Sequence, residues 1–475
     1  MTAGAGARAV PRLAVAAALA LAGAALAAWW WSHFCEFPAM VWNDIRVAPA
    51  IAFARGLPVL ATADHGPINT WTYGPLPLLY LWPASWAASA GHALLVAGAL
   101  NLALIVGPVA LVCAAWPATD GAGDPRIPRL LAFLLTAALW LRESYAIYYP
   151  DSLAVACGLL ANLVLIRGAG GGRAWVAAGL ATAAVACKQT ALGIPLAQVL
   201  WLGFTAGWIT AARQALRCVL CGIGLGAILA AIFGPAELWF VMVALPAHFP
   251  WVPDPLERLT GVAPQLALHV LAPAAVITAG WRAIVRSTLY LPTLTWLCCL
   301  PLGLAALLKW GGRMNSMHGF LLWLPAALVV ALTSEAFARR RGLRLGAALA
   351  AAALGTGRVA AEPFFAVRPQ TASYREADAL AARFRGQIWF PFHPVVTLYH
   401  EGRYYHDEDG LHVWLKVFGR VPPDHLASGL PPAIRLVALR TGWTDWAIGR
   451  NLLQPARPVV AGDWTLYVHE SQTPP

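Results

Sequence analysis

Long apolar runs recur through about the first 360 residues and constrain what this chain can fold into more than any other feature. Runs of roughly 18–22 apolar residues are long enough to cross a bilayer as helices. Only 12% of the 475 residues are charged, whereas soluble proteins carry about a quarter charged residues. The sequence therefore predicts an all-α polytopic membrane protein.

The placement of the basic residues predicts how these runs are oriented. Lys and Arg concentrate on the cytoplasmic side of membrane proteins. The basic clusters between the runs fall almost all on one side if the stretch 76–90 does not span. We therefore predict that 76–90 is a juxtamembrane helix lying on the outer, periplasmic surface. The net charge of +11 then reflects topology, and nucleic acid is not an expected partner.

This reasoning predicts about eleven transmembrane helices, with the N-terminus in the cytoplasm and the C-terminus in the periplasm. The lipid bilayer is an expected partner, and the expected location is a bacterial inner membrane. The predicted spans are 12–32, 92–115, 130–147, 152–166, 174–190, 191–209, 218–234, 262–280, 288–308, 317–337 and 343–359.

The long apolar runs end near Ala360, which predicts a domain boundary. Residues 1–360 form the predicted multi-span domain, with a periplasmic first loop over 34–91. Residues 361–475 are predicted to form a small soluble periplasmic domain of mixed α/β type. Within it we expect a helix over 375–385 and strands over 388–392, 395–399 and 464–468.

Asp44 and Arg46 lie close to the point where the first apolar helix must leave the bilayer. A charge at that depth is costly and usually functional. An aspartate in a water-filled pocket can take a proton from an acceptor hydroxyl or amine. The alternative is an interfacial charge at the start of a surface helix over 45–55, and the residue pattern alone supports both interpretations equally.

Two further motifs lie in the same loop. Asp64 and His65 are a candidate second acid or substrate-binding pair, although we favour an ordinary polar turn before Gly66. Tyr73 precedes the Gly-Pro pair that begins the predicted surface helix, where proline suits a first helical turn. Tyr73 is also a candidate substrate contact.

The third group of candidates consists of cations on the predicted periplasmic side, where lysine is normally scarce. Lys188 and Gln189 lie between two apolar runs, and Lys309 and Arg313 flank a Gly-Gly pair before Asn315. Cations and glycine backbone there suit a phosphate or diphosphate headgroup. The alternative is snorkelling of long side chains to the interface, and two such sites on the same side favour the phosphate.

Two acidic motifs complete the candidates. Asp151 follows Pro150 at a helix start, where helix capping and a functional role explain the residue equally well. In the C-terminal part, Pro394, 404–407 and 408–409 supply aromatic, imidazole and carboxylate groups. They are candidates for an acceptor site or a divalent ion, although a solvated charged loop is the favoured interpretation.

The order and common sidedness of these motifs resemble the GT-C class of integral-membrane glycosyltransferases. That class includes protein O-mannosyltransferases and lipid A aminoarabinose transferases, and the resemblance covers about residues 10–340. The matching pieces are Asp44, Tyr73-Gly74-Pro75-Leu76, Pro150-Asp151-Ser152, Lys188-Gln189-Thr190 and the run from Lys309 to Asn315.

The resemblance implies transfer of a sugar from a polyprenyl-phosphate donor to an envelope acceptor, with inversion and with Asp44 as general base. It also implies that Lys188, Lys309 and Arg313 contact the donor phosphate. Many members carry two adjacent acids in the first loop, whereas Asn43 precedes Asp44 here. That departure weakens a metal-dependent mechanism, so no cofactor is expected. Further expected substrate contacts are Arg46, Asp64, His65, Tyr73, Asp151, Gln189 and Asn315.

Two other classes of function remain open. A lipid-linked-sugar flippase or other transporter would need polar residues in the middle of its spans, and few are present. A non-catalytic membrane subunit of an envelope assembly would have no need for the outer cations.

Overall fold

The computed structural model describes residues 6–69, 71–117, 124–141, 151–361, 368–442 and 456–469. It is mostly helical with a small C-terminal sheet. The predicted helix start at 148–150 and part of the predicted span 130–147 lie outside the described residues. The helices are α1 (Gly6–Glu36), α2 (Val41–Ala54), α3 (Leu76–Leu81), α4 (Ala90–Ala115), α5 (Arg126–Leu141), α6 (Asp151–Ile166), α7 (Gly171–Cys187), α8 (Gly193–Ala206), α9 (Trp208–Phe233), α10 (Pro235–Trp239), α11 (Leu245–His248), α12 (Pro255–Gly261), α13 (Ala263–Val285), α14 (Tyr290–Leu307), α15 (Gly319–Leu332), α16 (Glu335–Arg339), α17 (Arg341–Ala361), α18 (Ala372–Arg383), α19 (Pro394–Glu401), α20 (Glu408–Phe418) and α21 (Pro423–Ser428).

Shorter helical turns and four strands complete the described structure. The turns are 3₁₀ helices except for one π-helical turn over Phe240–Ala244. The 3₁₀ helices are Phe37–Ala39, Trp82–Trp86, Gln189–Leu192 and Met314–Met317, and the strands are β1 (Ile388–Trp389), β2 (Leu436–Arg440), β3 (Ala456–Ala461) and β4 (Trp464–His469).

Five of the described helices are long and apolar enough to cross a membrane. Several apolar helices of this length are typical of a membrane protein, and they suit contact with a lipid bilayer. The five are Leu13–Ala39, Ala90–Ala115, Trp208–Phe233, Ala263–Val285 and Tyr290–Leu307, and shorter apolar helices are Asp151–Ile166, Gly319–Leu332 and Gly342–Gly357.

Glycine sets the limits of one of these long helices. Gly207 (φ +91°) separates α8 from α9, and Gly234 (φ +88°) separates α9 from α10. Residues with a Cβ rarely adopt positive φ, so glycine at both ends stops the helix where the chain must change direction.

The described chain divides into two compact units, each built from several stretches of sequence. Unit 1 comprises Met1–Ser32, Leu102–Gly226 and Trp251–Phe365, and unit 2 comprises His33–Asn101, Ala227–Pro250 and Ala366–Pro475. The first loop and the C-terminal segment therefore belong to the same unit. The predicted boundary near residue 360 remains a prediction.

The sheet of unit 2 has the strand order β1-β2-β4-β3. Strand β1 pairs parallel with β2, while β4 pairs antiparallel with both β2 and β3. The predicted strand over 464–468 is confirmed as β4, and that over 388–392 is confirmed only at its first two residues. Large side chains fill the core here, with Trp389, Phe390 and Trp464 almost fully buried.

The predicted strand over 395–399 is wrong, because this stretch is helix α19. Its β-branched residues favour a strand locally. Pro394, however, occupies the first turn of a helix, where its missing N–H leaves no bond unmade. Val395 and Val396 are fully buried in unit 2, so tertiary packing overrides the local preference.

The predicted helix over 76–90 is present only in two short pieces. Helix α3 ends at Leu81, and a 3₁₀ helix continues to Trp86. Pro83 lies in the first turn of that second piece, and it has no N–H to donate to a continuous α-helix. The side chains of Trp82 and Trp86 are exposed, as interfacial tryptophans often are.

Candidate functional site

Asp44 lies in the first turn of α2, a position where a carboxylate interacts favourably with the helix dipole. Its side chain is 0% exposed. Most residues of α2 are buried in unit 2, so the expectation of a surface helix over 45–55 is wrong. The helix is held inside the unit because its apolar residues occupy nearly its whole circumference.

Both oxygens of the Asp44 carboxylate have partners from the C-terminal segment. The Val395 N–H donates to Oδ1 (2.9 Å), and the Tyr374 hydroxyl donates to Oδ2 (2.8 Å). His393 Nδ1 lies 3.4 Å from Oδ2 and 3.1 Å from the Tyr374 oxygen. A buried carboxylate needs such partners, because an unpaired buried charge is strongly destabilising.

The bond from Val395 also replaces a helix cap. The first N–H groups of a helix have no partner within it, and His393, the N-cap residue of α19, makes no side-chain capping bond. Asp44 therefore satisfies one of these groups from a distant part of the chain. The carboxylate joins α2 to α19 as well as carrying charge.

Arg46 and Tyr73 lie together at a less buried part of the same unit. The Arg46 guanidinium is 5.3 Å from the Tyr73 ring centre, and its Nη2 lies 3.8 Å from Oδ2 of Asp409. The side chains of Arg46 and Asp409 are 12% and 16% exposed. This group presents an aromatic face beside a paired cation and anion, which suits a neutral, hydroxylated ligand better than a charged one.

Asp64 and His65 form an exposed turn. The Thr62 hydroxyl donates to Asp64 (2.8 Å), and His65 Nδ1 lies 3.0 Å from the same carboxylate. Hydrogen bonds from Thr62 and then His65 lower the pKa of Asp64. The side chains of Asp64 and His65 are 86% and 63% exposed. On its other side, His65 Nε2 lies 3.5 Å from Oε1 of Glu237.

Two buried histidines join the first loop to the C-terminal segment within unit 2. His406 Nδ1 accepts the Ile68 N–H (2.8 Å), and its Nε2–H donates to the His425 carbonyl (2.9 Å). The His425 Nε2–H donates in turn to the Gly66 carbonyl (2.8 Å). His406 must therefore be neutral, since a protonated Nδ1 could not accept from a backbone N–H.

Acidification should weaken unit 2 through His406. Burial lowers the pKa of His406 from 6.5 to about 4. The unfolded chain then binds more protons than the folded chain in this window, so stability should fall as the pH falls from 6.5 to about 4, by up to roughly 3 kcal/mol. Thermal unfolding and hydrogen exchange of the Ile68 amide, measured from pH 7 to pH 4, check this.

The matched variants separate this histidine from the others. His406→Gln should flatten the pH dependence in the same window, whereas His92→Gln, at an exposed position, should leave it unchanged. An Ile68 amide with the same protection factor at pH 7 and pH 4, after correction for the slower intrinsic exchange in acid, would contradict the role given to His406.

In unit 1 the structure brings three distant motifs into one buried polar cluster. Lys188 Nζ forms an ion pair with Oδ1 of Asp151, and the Asn315 amide donates to Oδ2 (3.1 Å). The side chains of Lys188 and Asp151 are 7% and 5% exposed. We call Asp151, Lys188 and Asn315 the ion-pair cluster.

Helix pairing explains why these residues meet. Asp151 begins α6, and Lys188 directly follows α7. A short connection makes α6 and α7 an antiparallel hairpin, so the start of one helix lies beside the end of the other. Asn315 lies in the 3₁₀ helix that follows α14. Gln189, next to Lys188, is only partly buried.

A second group of cations surrounds the loop after α14. Trp251 and Lys309 form a β-bridge, and the Lys309 ammonium lies 5.6 Å from the Trp251 ring centre. Arg313 is exposed, while Arg258 is partly buried. Burial and, to a lesser degree, the positive charge of Arg313 lower the pKa of Arg258. We call Arg258, Lys309 and Arg313 the loop cations.

Two glycines allow the tight turn of the loop after α14. Gly311 has a φ of +75°, and a Cβ on Gly312 would collide with the carbonyl oxygens that end α14. The loop therefore closes tightly over the end of α14. Backbone N–H groups of such a glycine-containing turn, with cations beside it, suit an anion.

No protein-family model matches this sequence, and no match was found among the curated proteins. In the part of the chain that the structure describes, no group of three His, Cys, Asp or Glu side chains is arranged to hold a metal ion. The expectation that no metal is needed stays a prediction.

The sequence-based candidates fall into the two units. In unit 1, Asp151 contacts both Lys188 and Asn315. Lys309 and Arg313 lie in the loop that leads to Asn315. Asp44, Arg46, Asp64, His65 and Tyr73 belong to unit 2, where the described contacts join Asp44 to none of the other four.

Sequence reasoning missed Tyr374, His393 and Arg258. Tyr374 lies one residue before the predicted helix over 375–385, and His393 precedes Pro394, which had been singled out. A single polar residue in a strand or helix pattern carries no signal of its distant partner, so only the fold could identify these three.

Proposed function

We propose that this chain transfers a sugar from a polyprenyl-phosphate carrier to an envelope acceptor, with inversion at the anomeric carbon. The acceptor is a glycan, a lipid or a protein. The observation that supports this best is the ion-pair cluster, because Asp151, Lys188 and Asn315 belong to three separate motifs of the resemblance. Contact among residues of three motifs argues that the resemblance to the GT-C class is not a coincidence of short sequence patterns.

The loop cations suit the phosphate of the donor. Lys188 is paired with Asp151, so its charge is largely compensated. Arg258, Lys309 and Arg313 carry the remaining positive charge beside the same loop, with Asp254 and Glu257 as the nearby acids of α12. Charge-assisted contacts from such groups stabilise the negative charge that develops on a leaving phosphate.

Asp44 is the proposed general base. It would take the proton of an acceptor hydroxyl as that oxygen attacks the anomeric carbon. The bond from that carbon to the phosphate oxygen breaks, and the polyprenyl phosphate leaves with the electron pair. Arg46, Tyr73 and Asp409 are the proposed contacts for the hydroxyls of the sugar or acceptor, while Asp64 and His65 remain proposed peripheral contacts on their exposed turn.

Loss of an outer cation should weaken donor binding. Arg313→Met keeps much of the apolar stem but removes a charge-assisted contact of about 1.5–3 kcal/mol. The donor KM should therefore rise about tenfold or more, while the acceptor KM changes little. Steady-state kinetics with varied donor and varied acceptor check both values.

Arg286→Met is the matched control, because Arg286 is an exposed arginine at the end of α13 in the same unit. It should leave the donor KM unchanged. Equal donor kinetics for Arg313→Met, Lys309→Met and the wild type would remove the phosphate site from the proposal.

The proposal also includes the topology of about eleven spans in a bacterial inner membrane, with the C-terminal segment in the periplasm. Reporter fusions after Arg129, Arg173 and Arg217 should give a cytoplasmic signal, and fusions after Pro67 and Gly402 should give a periplasmic one. The reason is the one-sided distribution of the basic clusters. A cytoplasmic signal at Gly402 would rule out both the topology and periplasmic sugar transfer.

The ion-pair cluster also favours a second candidate, a lipid-linked-sugar flippase or other transporter. Buried ionisable pairs in membrane proteins often mark transport pathways. A non-catalytic envelope subunit is less well supported, because it gives no reason for the loop cations.

Membranes containing the chain, supplied with a panel of polyprenyl-phosphate sugars, discriminate among these functions. An enzyme forms glycosylated product and free polyprenyl phosphate. A flippase moves the lipid-linked sugar across proteoliposomes without releasing the sugar, and a structural subunit does neither.

A further inference from the structure

The hydrogen bond between Tyr374 and Asp44 has the geometry of a base bound to the hydroxyl that it would deprotonate. The Tyr374 oxygen lies 2.8 Å from Oδ2, while Oδ1 is engaged by the Val395 N–H. Asp44, Tyr374 and His393 are all at most 1% exposed. In this arrangement, neither carboxylate oxygen is open to a hydroxyl from outside the protein.

We propose that the Tyr374 hydroxyl is a removable cap on Asp44, occupying the place that the acceptor hydroxyl takes during the reaction. This inference rests on the proposed role of Asp44 as general base. The acceptor must displace the tyrosine before a proton can be transferred. Tyr374 thereby limits access to the base from within the C-terminal segment.

Tyr374 is suited to act as a cap that does not itself react. Burial and the neighbouring Asp44 raise the pKa of Tyr374 well above its usual value of 10. The phenol therefore stays protonated and keeps donating to the carboxylate. An acceptor hydroxyl that makes the same bond replaces it with little electrostatic change at Asp44.

His393 supplies the partner that makes the exchange feasible. Its Nδ1 lies within 3.4 Å of both the Tyr374 oxygen and Oδ2 of Asp44. When the tyrosine moves away, an Nδ1–H of His393 can still donate to the Asp44 carboxylate, so the buried negative charge keeps a hydrogen-bond donor. His393 Nε2 makes no hydrogen bond with any residue that the structure describes. His393 is thus a positioning residue for Asp44.

Labelling of carboxylates tests the cap without requiring activity. The intact chain in detergent is treated with a carbodiimide and glycinamide, and labelling of Asp44 and Asp64 is followed by mass spectrometry. In Tyr374→Phe, Asp44 should be labelled about tenfold faster than in the wild type. Asp64, with 86% of its side chain exposed, should be labelled equally fast in both and serves as the internal reference.

Kinetics give the second readout. Tyr374→Phe should lower the acceptor KM severalfold or raise hydrolysis of the donor by water, because the competing hydroxyl is gone. His393→Asn leaves the cap in place, so it should keep Asp44 labelling at the wild-type rate while lowering kcat. His393→Leu should lower kcat further, because it also removes the replacement donor.

The outcomes are separable. Faster labelling of Asp44 in a chain that transfers no sugar supports the cap and contradicts the proposed function. Unchanged labelling together with an unchanged acceptor KM in folded Tyr374→Phe would overturn the cap. If the wild type transfers sugar, a Tyr374→Phe chain that fails to fold or loses that turnover would also overturn the cap, since the hydroxyl would then be a structural tie.

Discussion

Asp44→Asn should reduce the rate of sugar transfer by roughly 10²–10⁴-fold, the usual loss for a positioned acid or base. The substitution removes basicity but keeps size. The amide oxygen can still accept the Val395 N–H, and the Tyr374 hydroxyl can rotate to accept from the amide nitrogen. The fold should therefore survive, and turnover of a polyprenyl-phosphate sugar in membranes measures the loss.

Asp64→Asn is the matched control, because Asp64 is a carboxylate of the same loop that lies on the exposed surface. Its turnover should fall far less than that of Asp44→Asn. If Asp44→Asn keeps near-wild-type turnover at normal expression, the base lies elsewhere. Asp409, the less deeply buried carboxylate beside Arg46, would then be the next candidate.

The second large effect is expected in the ion-pair cluster. Lys188→Met leaves the Asp151 carboxylate buried without its cation, and Asp151→Asn leaves the ammonium without its anion. Each should lower the free energy of unfolding by about 3–5 kcal/mol, the usual cost of breaking a buried pair from one side. Unfolding in mixed detergent, or the thermal midpoint of the solubilised chain, measures this loss.

The double variant Asp151→Asn with Lys188→Met decides between the two roles of Lys188. Because it removes both charges, it should recover much of the lost stability. If Lys188 also contacts the donor phosphate, the double variant should keep a raised donor KM. A double variant that is less stable than both single variants would contradict the ion pair as the source of the effect.

The sequence alone determined the class of the protein and several of its elements. Apolar runs of sufficient length predict membrane helices because lipid leaves backbone groups no other partner. The helix start at Asp151 and strand β4 follow from equally local patterns. The positions of the basic clusters predicted that Asp151, Lys188 and Asn315 face the same side of the membrane, whereas their contact followed only from the fold.

Tertiary structure alone decided the surroundings of Asp44. The residue type indicated a proton acceptor at the membrane surface, but not the fully buried carboxylate held by Tyr374 and Val395. These partners lie 330 and 351 positions away along the chain, and no local pattern encodes such a separation. Burial in turn made 395–399 a helix despite its β-branched residues, because packing outweighs propensity in a buried segment.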